Sequence, residues 1–292
     1  MLPQNDEYTF SCVLSSLNLA KWDEMEDEDI FWSIIFLDCV VSETLEQTKG
    51  IGDIEKLHNF TRDFRALGLG TLGWHTYLQS KMLTMDSLQA KLLNKQIFAR
   101  INKVAQQATR HLYDLNGAPK YCKDLGIANA TLLAIAPNTS SALLAGGMSQ
   151  GIEPLAANTY NQNTAAGEVT RMNPTLIKHL KDIGHYSEQL VEDLQVKHQG
   201  SIQSLDFLND HVKRVFATAN EIDQNVLVNL AADRQPNICQ GQSLNLTFNG
   251  TEQEIATVTK RALNNPHIKS LYYQRSIRSV RASSGECLQC EG

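Results

Sequence analysis

Residues 131–146 read TLLAIAPNTSSALLAG, and the order of residue types in that stretch decides the architecture. Residues 131–136 are a short apolar run of the kind that forms a buried strand. Pro137, Asn138, Thr139, Ser140 and Ser141 follow, and an Ala/Leu-rich stretch then has the composition of a helix. A strand that passes through a brief polar turn into a helix is the unit of an α/β fold. The same alternation runs outward in both directions. Apolar residues fall at helical spacing from Asp23 to about Leu45 and from Ser87 to Leu115. In the second of these, Leu88, Leu92, Ile97, Ile101, Val104, Ala108 and Leu112 trace one face, and Asn116 with Gly117 supplies a stop. In SLNLTF, Leu244, Leu246 and Phe248 point one way and Ser243, Asn245 and Thr247 the other, which predicts a strand. Thr251 with Glu254 predicts a capping box opening a helix to Leu263, and IKSLYY is expected to form another short strand. Strands alternating with long helices predict a largely parallel sheet.

Composition sets the outer limits. A chain of 292 residues, 42% hydrophobic and 20% charged, has ordinary globular composition and enough apolar residues for a sizeable core. No run approaches the roughly 18 apolar residues of a membrane span, and MLPQNDEYTF has neither the basic nor the apolar region of a signal peptide, so the expected location is cytoplasmic. A net charge of −6 gives no electrostatic reason to bind nucleic acid, although Arg275, Arg278 and Arg281 gather near the end. Six cysteines are too few for a disulfide framework, and Cys39, Cys122 and Cys239 are expected to be buried thiols. With no internal repeat and no low-complexity linker before about residue 276, one domain over residues 1–275 followed by a flexible tail over 276–292 is the economical division.

Two segments point to chemistry. Hydroxyls and free backbone N–H groups at a strand-to-helix turn favour negative charge, so residues 137–141 could seat a phosphate; the alternative is an N-cap with extra polar residues. The pattern is neither a phosphate-binding P-loop nor a dinucleotide fingerprint. The eight histidines are scattered without metal-ligand spacing, so no metal site is expected. The other segment is the end of the chain, SSGECLQCEG, where Cys287 and Cys290 sit among Ser, Gly and Glu. Half a zinc site, a redox dithiol and chance are the three readings. A second thiol pair within reach is missing and no strand precedes the motif, so a mobile dithiol engaged in thiol–disulfide exchange fits best.

These residues, taken together, resemble the large catalytic subunit of class I ribonucleoside-diphosphate reductase. The resemblance rests on SCVLSSLNLA around Cys12, LGLGTLGWHTYLQSK around Gly73, APNTSSALLAG followed by GIEPLAANTY, RMNPTLIKHLKDIG, the IDQN and ADRQPNICQGQSLNL pair, SLYYQRS, and the terminal CLQC, all in the family's order. It implies a ten-stranded α/β barrel of which this chain carries the second five-stranded half. The family's radical-cysteine loop, N-x-C-x-E, does not occur here, so the resemblance implies a separately encoded, phage-type half of a split large subunit or a cloned fragment. It assigns Cys12 to the active-site pair that reduces the substrate, and Asn138, Thr139, Ser140 and Ser141 to the loop that holds the substrate diphosphate. Tyr272 and Tyr273 take the place of a stacked radical relay; as a bare YY they would read instead as aromatics filling two faces of a strand, and the family context reverses that. Cys287 and Cys290 become the tail dithiol, reduced by thioredoxin or glutaredoxin. The implied partners are the N-terminal half, a small subunit that carries the radical metallocofactor, and a ribonucleoside diphosphate; no cofactor is bound by this chain itself. Two alternatives remain at this level, a non-catalytic structural or regulatory remnant and a standalone thiol oxidoreductase.

Overall fold

The computed structural model describes residues 3–164 and 167–276. In chain order the elements are β1 (Val13–Asn18), α1 (Asp27–Thr48), α2 (Glu55–Phe64), β2 (Leu67–Leu72), α3 (Trp74–Ser80), α4 (Leu88–Asn116), α5 (Thr139–Leu144), β3 (Thr159–Thr164), β4 (Gly167–Met172), α6 (Pro174–Asp182), α7 (Glu188–Val196), α8 (Asp210–Val215), α9 (Gln224–Arg234), β5 (Leu246–Phe248), α10 (Glu252–Leu263) and β6 (Gln274–Ser276).

The predicted parallel α/β arrangement is what the chain builds. β1 pairs in parallel with β2, Val13 opposite Leu67 and Asn18 opposite Leu72. The ladder continues as Leu67 N and Leu69 N donate to Thr131 O and Leu132 O at 3.0 and 2.8 Å. Ile135 N and Ser243 N then exchange bonds with Gly241 O and Ile135 O at 3.2 and 2.8 Å, and Tyr272 N and Leu246 N with Leu244 O and Tyr273 O at 3.0 and 2.9 Å. β5 and β6 close this run in parallel. Each step along it is joined by helices, the crossover that parallel pairing requires.

Two expected strands are interrupted, for one physical reason. Residues 131–136 make isolated parallel bridges, Leu69 with Leu133 and Ile135 with Gln242, in place of a continuous strand. The Cys239 sulfur accepts the Leu132 and Leu133 N–H groups at 3.1 and 3.0 Å, standing where a backbone carbonyl would be. IKSLYY itself forms no strand: β6 begins only after it, at Gln274, and the Tyr273 N–H just before it is taken by the Asn245 side chain at 2.8 Å. Side-chain acceptors have replaced ladder acceptors. The antiparallel hairpin of β3 and β4 has no counterpart in the sequence reading.

The helices follow their patterns with informative offsets. α1 begins after a separate 3-10 turn, Leu19–Glu24, which displaces its start from Asp23 to Asp27. α4 starts on the Ser87 hydroxyl, which accepts from Ala90 N at 3.1 Å, and stops where Gly117 takes φ 77°. Of its predicted face, Ile97, Ile101, Val104, Ala108 and Leu112 are buried, whereas Leu88 and Leu92 are 72% and 47% exposed. At that end Asn94 is the inward residue: its amide donates to Leu230 O at 2.9 Å and its carbonyl accepts from Arg234 Nε at 2.7 Å, so the polar tie to α9 sets the rotation. α10 opens as expected with Thr251 Oγ1 accepting from Glu254 N at 3.4 Å. The main core joins Ile34, Leu37 and Val41 of α1, Leu67 and Leu69 of β2, the α4 face, and Leu244, Leu246 and Phe248. A separate apolar cluster holds α6, α7 and α8 together through Leu176, Leu180, Leu194, Val212 and Phe216. Among the described residues no helix is long and apolar enough to cross a membrane.

Candidate functional site

Residues 137–141 sit at the C-terminal end of the parallel ladder, where open α/β sheets place their ligands. Asn138 is held in the left-handed conformation, φ 63° and ψ 30°, at the start of α5. Its side-chain amide donates to Thr71 O at 3.1 Å and to Ala136 O at 3.0 Å, tying the ends of two neighbouring segments together. Spent in that way, the Asn138 side chain makes no cap on α5. Ser140 and Ser141 are exposed beside this uncapped turn, while the Thr139 hydroxyl donates to Gln150 Oε1 at 3.1 Å. The returning residues 149–153 brace the turn from behind. Gly73 N donates to Ser149 O at 2.7 Å, and Gly151 lies so near that a Cβ there would meet Ala136 O at 3.0 Å.

That same return segment ends at Glu153, which links the polar turn to the tyrosines. The Asn245 amide donates to Glu153 Oε1 at 2.6 Å, and the Asn245 carbonyl accepts the Tyr273 N–H at 2.8 Å. Loss of water around Glu153 pushes its carboxyl up to about 7, with Asn245 and the Arg275 charge pulling the other way. Tyr272 and Tyr273 lie with ring centroids 4.2 Å apart and an interplanar angle of 56°. Both are partly solvent-exposed, and the phenol of Tyr272 is raised by its hydrogen bond to Tyr273. The Arg275 guanidinium lies 5.3 Å from the Tyr273 ring centroid. A simple strand-filling pair would be expected to alternate faces; these two rings instead touch.

Cys12 immediately precedes β1. It is half-buried, and its thiol is raised by burial, lowered by a hydrogen bond to Gln240 and raised again by the nearby Cys239. Gln240 reaches this place because its amide donates to Leu67 O and Thr131 Oγ1 at 2.8 and 3.1 Å, across two neighbouring segments. Of the three cysteines expected to be buried, Cys122 is, but Cys39 and Cys239 are exposed. Cys39 points outward from α1, and Cys239 is held at the edge by its two N–H donors. Cys287 and Cys290 lie outside the described residues.

Sequence reasoning therefore singled out the ends of a network but not its middle. Glu153, Asn245, Gln150 and Gln240 were missed as site residues, although GIEP and SLNL were recognised as motifs. The available signal was polarity on an inward strand face: Ser243 and Asn245 are only 8% and 7% exposed, so the polar side of SLNLTF is buried like the apolar side.

Comparison with known proteins gives the class and then the family. The chain superposes with a TM-score of 0.87 on the Actinobacillus ureae class Id ribonucleotide reductase alpha subunit, with 36% identity, covering 94% of this chain and 51% of that one. The ribonucleoside-diphosphate reductase large subunit of Invertebrate iridescent virus 3 is 34% identical over 318 residues, which is 100% of this chain and 49% of that protein. The large subunit of Invertebrate iridescent virus 6 is 33% identical over 293 residues, 94% of this chain and 29% of that protein. The sequence matches the ribonucleotide reductase barrel domain over residues 1–121 and 111–274, and the chain belongs to that family. It spans about half the length of relatives that it matches along its whole sequence.

Proposed function

We propose that this chain is the C-terminal half of the catalytic barrel of a class I ribonucleoside-diphosphate reductase and works only when joined by the N-terminal half. The observation that carries this reading is the end-to-end match to about half of a reductase large subunit. The parallel ladder then forms the second five-stranded half of a ten-stranded barrel; Ser276, which the sequence division put in the tail, belongs to β6, and the redox dithiol of Cys287 and Cys290 follows outside the described residues. The location is cytoplasmic, and neither nucleic acid nor a membrane is a partner.

In this reading the substrate diphosphate rests on the first turn of α5, where backbone N–H groups and the hydroxyls of Ser140 and Ser141 favour an anion. The uncapped turn and the diverted Asn138 amide support this, since a capped helix start would have its donors filled. Cys12 and a cysteine of the N-terminal half give two electrons and two protons to the ribose; the 2′-hydroxyl leaves as water and the two sulfurs join as a disulfide. A thiol kept protonated by burial, as Cys12 is, suits a hydrogen donor better than a nucleophile. Tyr272 and Tyr273 pass the radical from the metallocofactor of a small subunit, a role supported by their ring contact and hydrogen bond. Cys287 and Cys290 then reduce the buried disulfide by exchange and are themselves reduced by thioredoxin or glutaredoxin.

The test is reconstitution. The purified chain is expected to form no deoxynucleotide by itself and to do so once mixed with the N-terminal half and a small subunit. Appreciable turnover by the chain alone would overturn the split-barrel reading.

A further inference from the structure

We propose that Glu153 is a positioning residue for the tyrosine pair, acting through Asn245 on the backbone of Tyr273 and through Arg275 on its ring. The inference deepens the relay reading given above and rests on it only for the consequence to turnover. Its geometry stands alone. Asn245 is a two-ended connector, its amide donating to Glu153 Oε1 at 2.6 Å and its carbonyl holding the Tyr273 N–H at 2.8 Å. That second bond holds the Tyr273 N–H while its carbonyl accepts from Leu246 N in the ladder, so the pose of the residue depends in part on where Asn245 is anchored.

The charged groups around Glu153 come from two elements. Arg275 on β6 attracts it electrostatically and lies 5.3 Å from the centroid of the Tyr273 ring. Arg234 on α9 lines with it a cavity of about 10 Å³ whose other walls are Ile152, Leu227, Leu244 and Asn245. Arg234 is 1% exposed, and its Nη1 has no hydrogen-bond partner among the described residues. Its guanidinium lies between the rings of Trp74 and Phe98, at 5.8 and 5.3 Å from their centroids. Burial brings it down to about 9, so it keeps its proton throughout the range in which Glu153 titrates.

The sign of the effect follows. Below the Glu153 midpoint, near pH 7, the carboxyl is neutral and no longer attracts Arg275, which lies over the Tyr273 ring. Above it the carboxylate draws Arg275 toward itself and accepts more strongly from Asn245, which changes both the field at the phenol and the hold on the backbone. The conformation of the tyrosine pair is thereby coupled to one proton.

The experiment uses the full chain with ¹³C-labelled tyrosine ring carbons, the Tyr273 signal being assigned by its loss in Tyr273→Phe. Its chemical shift is followed from pH 5.5 to 8.5. In the wild type it is expected to move with a midpoint near 7. Glu153→Gln should abolish the inflection and Glu153→Asp should restore one. A flat wild-type curve, or an inflection that survives in Glu153→Gln, overturns the proposal. The turnover–pH profile of the assembled enzyme then addresses the relay separately: if the signal titrates but turnover ignores both Glu153 substitutions while Tyr273→Phe is also fully active, the positioning role stands and the relay reading fails; if Tyr273→Phe is inactive, the relay stands and the claimed consequence of Glu153 for turnover is overturned.

Discussion

The proposed relay distinguishes Tyr272 and Tyr273 from ordinary strand aromatics by their hydroxyls. Packing needs the rings, and Phe supplies the same ring; a proton-coupled radical transfer needs the O–H. The 4.2 Å ring contact and the raised Tyr272 phenol place the hydroxyls in each other's company. Tyr272→Phe and Tyr273→Phe are therefore each expected to lower multiple turnover of the assembled enzyme by far more than tenfold, a barrier increase well above about 1.4 kcal/mol. Subunit assembly and substrate affinity, measured by sedimentation and by equilibrium binding, should stay within a factor of about two of wild type, as befits surface substitutions that keep the ring. A variant that keeps more than about a tenth of the wild-type rate would return the pair to a structural role.

The parallel ladder is the element on which everything else is mounted, and its tightest point is in β2. A Cβ on Gly70 would come within 2.3 Å of the Ala134 carbonyl oxygen, a backbone atom with nowhere to go. At Gly68 the nearest atom, at 2.5 Å, is Leu14 Cδ2, the far end of a flexible side chain that is 52% exposed. Gly70→Ala is thus expected to destabilise the chain by about 3 kcal/mol, and Gly68→Ala by about 1 kcal/mol or less, in urea unfolding monitored by circular dichroism. Equal losses at the two sites would contradict this packing. Neither glycine stood out in LGLGTLG as a close-approach residue, and the reason extends to other elements. What local pattern carries, the periodic faces of α1 and α4, the cap that opens α10 and the strand–helix alternation of a parallel sheet, could be read directly because each lies within a short stretch of sequence. What was misread depends on a distant partner. Leu88 and Leu92 look like core residues until Asn94 is seen bound to Leu230 and Arg234. Residues 131–136 look like a continuous strand until the Cys239 sulfur takes two of their N–H groups. The polar turn at 137–141 was legible because all its members are adjacent in sequence, whereas Glu153 and Asn245 stand 92 positions apart and meet only in the fold.

Across the whole molecule the proposed function gives the two sets of thiols different tasks. Cys12 lies at the root of the ladder beside Gln240, half-buried, and is assigned to the substrate; Cys287 and Cys290 lie on the terminal segment and are assigned to its re-reduction. In the sequence Cys287 follows Tyr273 by 14 positions, outside the described residues. A large reductant such as thioredoxin is excluded from a buried disulfide and needs the tail, but a small dithiol can diffuse to it unaided. Changing Cys287 and Cys290 together to Ser is accordingly expected to stop turnover driven by thioredoxin or glutaredoxin while leaving a rate driven by dithiothreitol. Cys12→Ser removes an electron donor at the substrate itself, so turnover should fail with every reductant. The measurement is deoxynucleotide formed per assembled enzyme under each. Full thioredoxin-driven activity in the tail variant would remove the shuttle role from Cys287 and Cys290, and rescue of Cys12→Ser by a small dithiol would remove Cys12 from the substrate site. Because the two substitutions predict different patterns over the same pair of reductants, general damage to the fold, which lowers all rates together, cannot imitate the expected result.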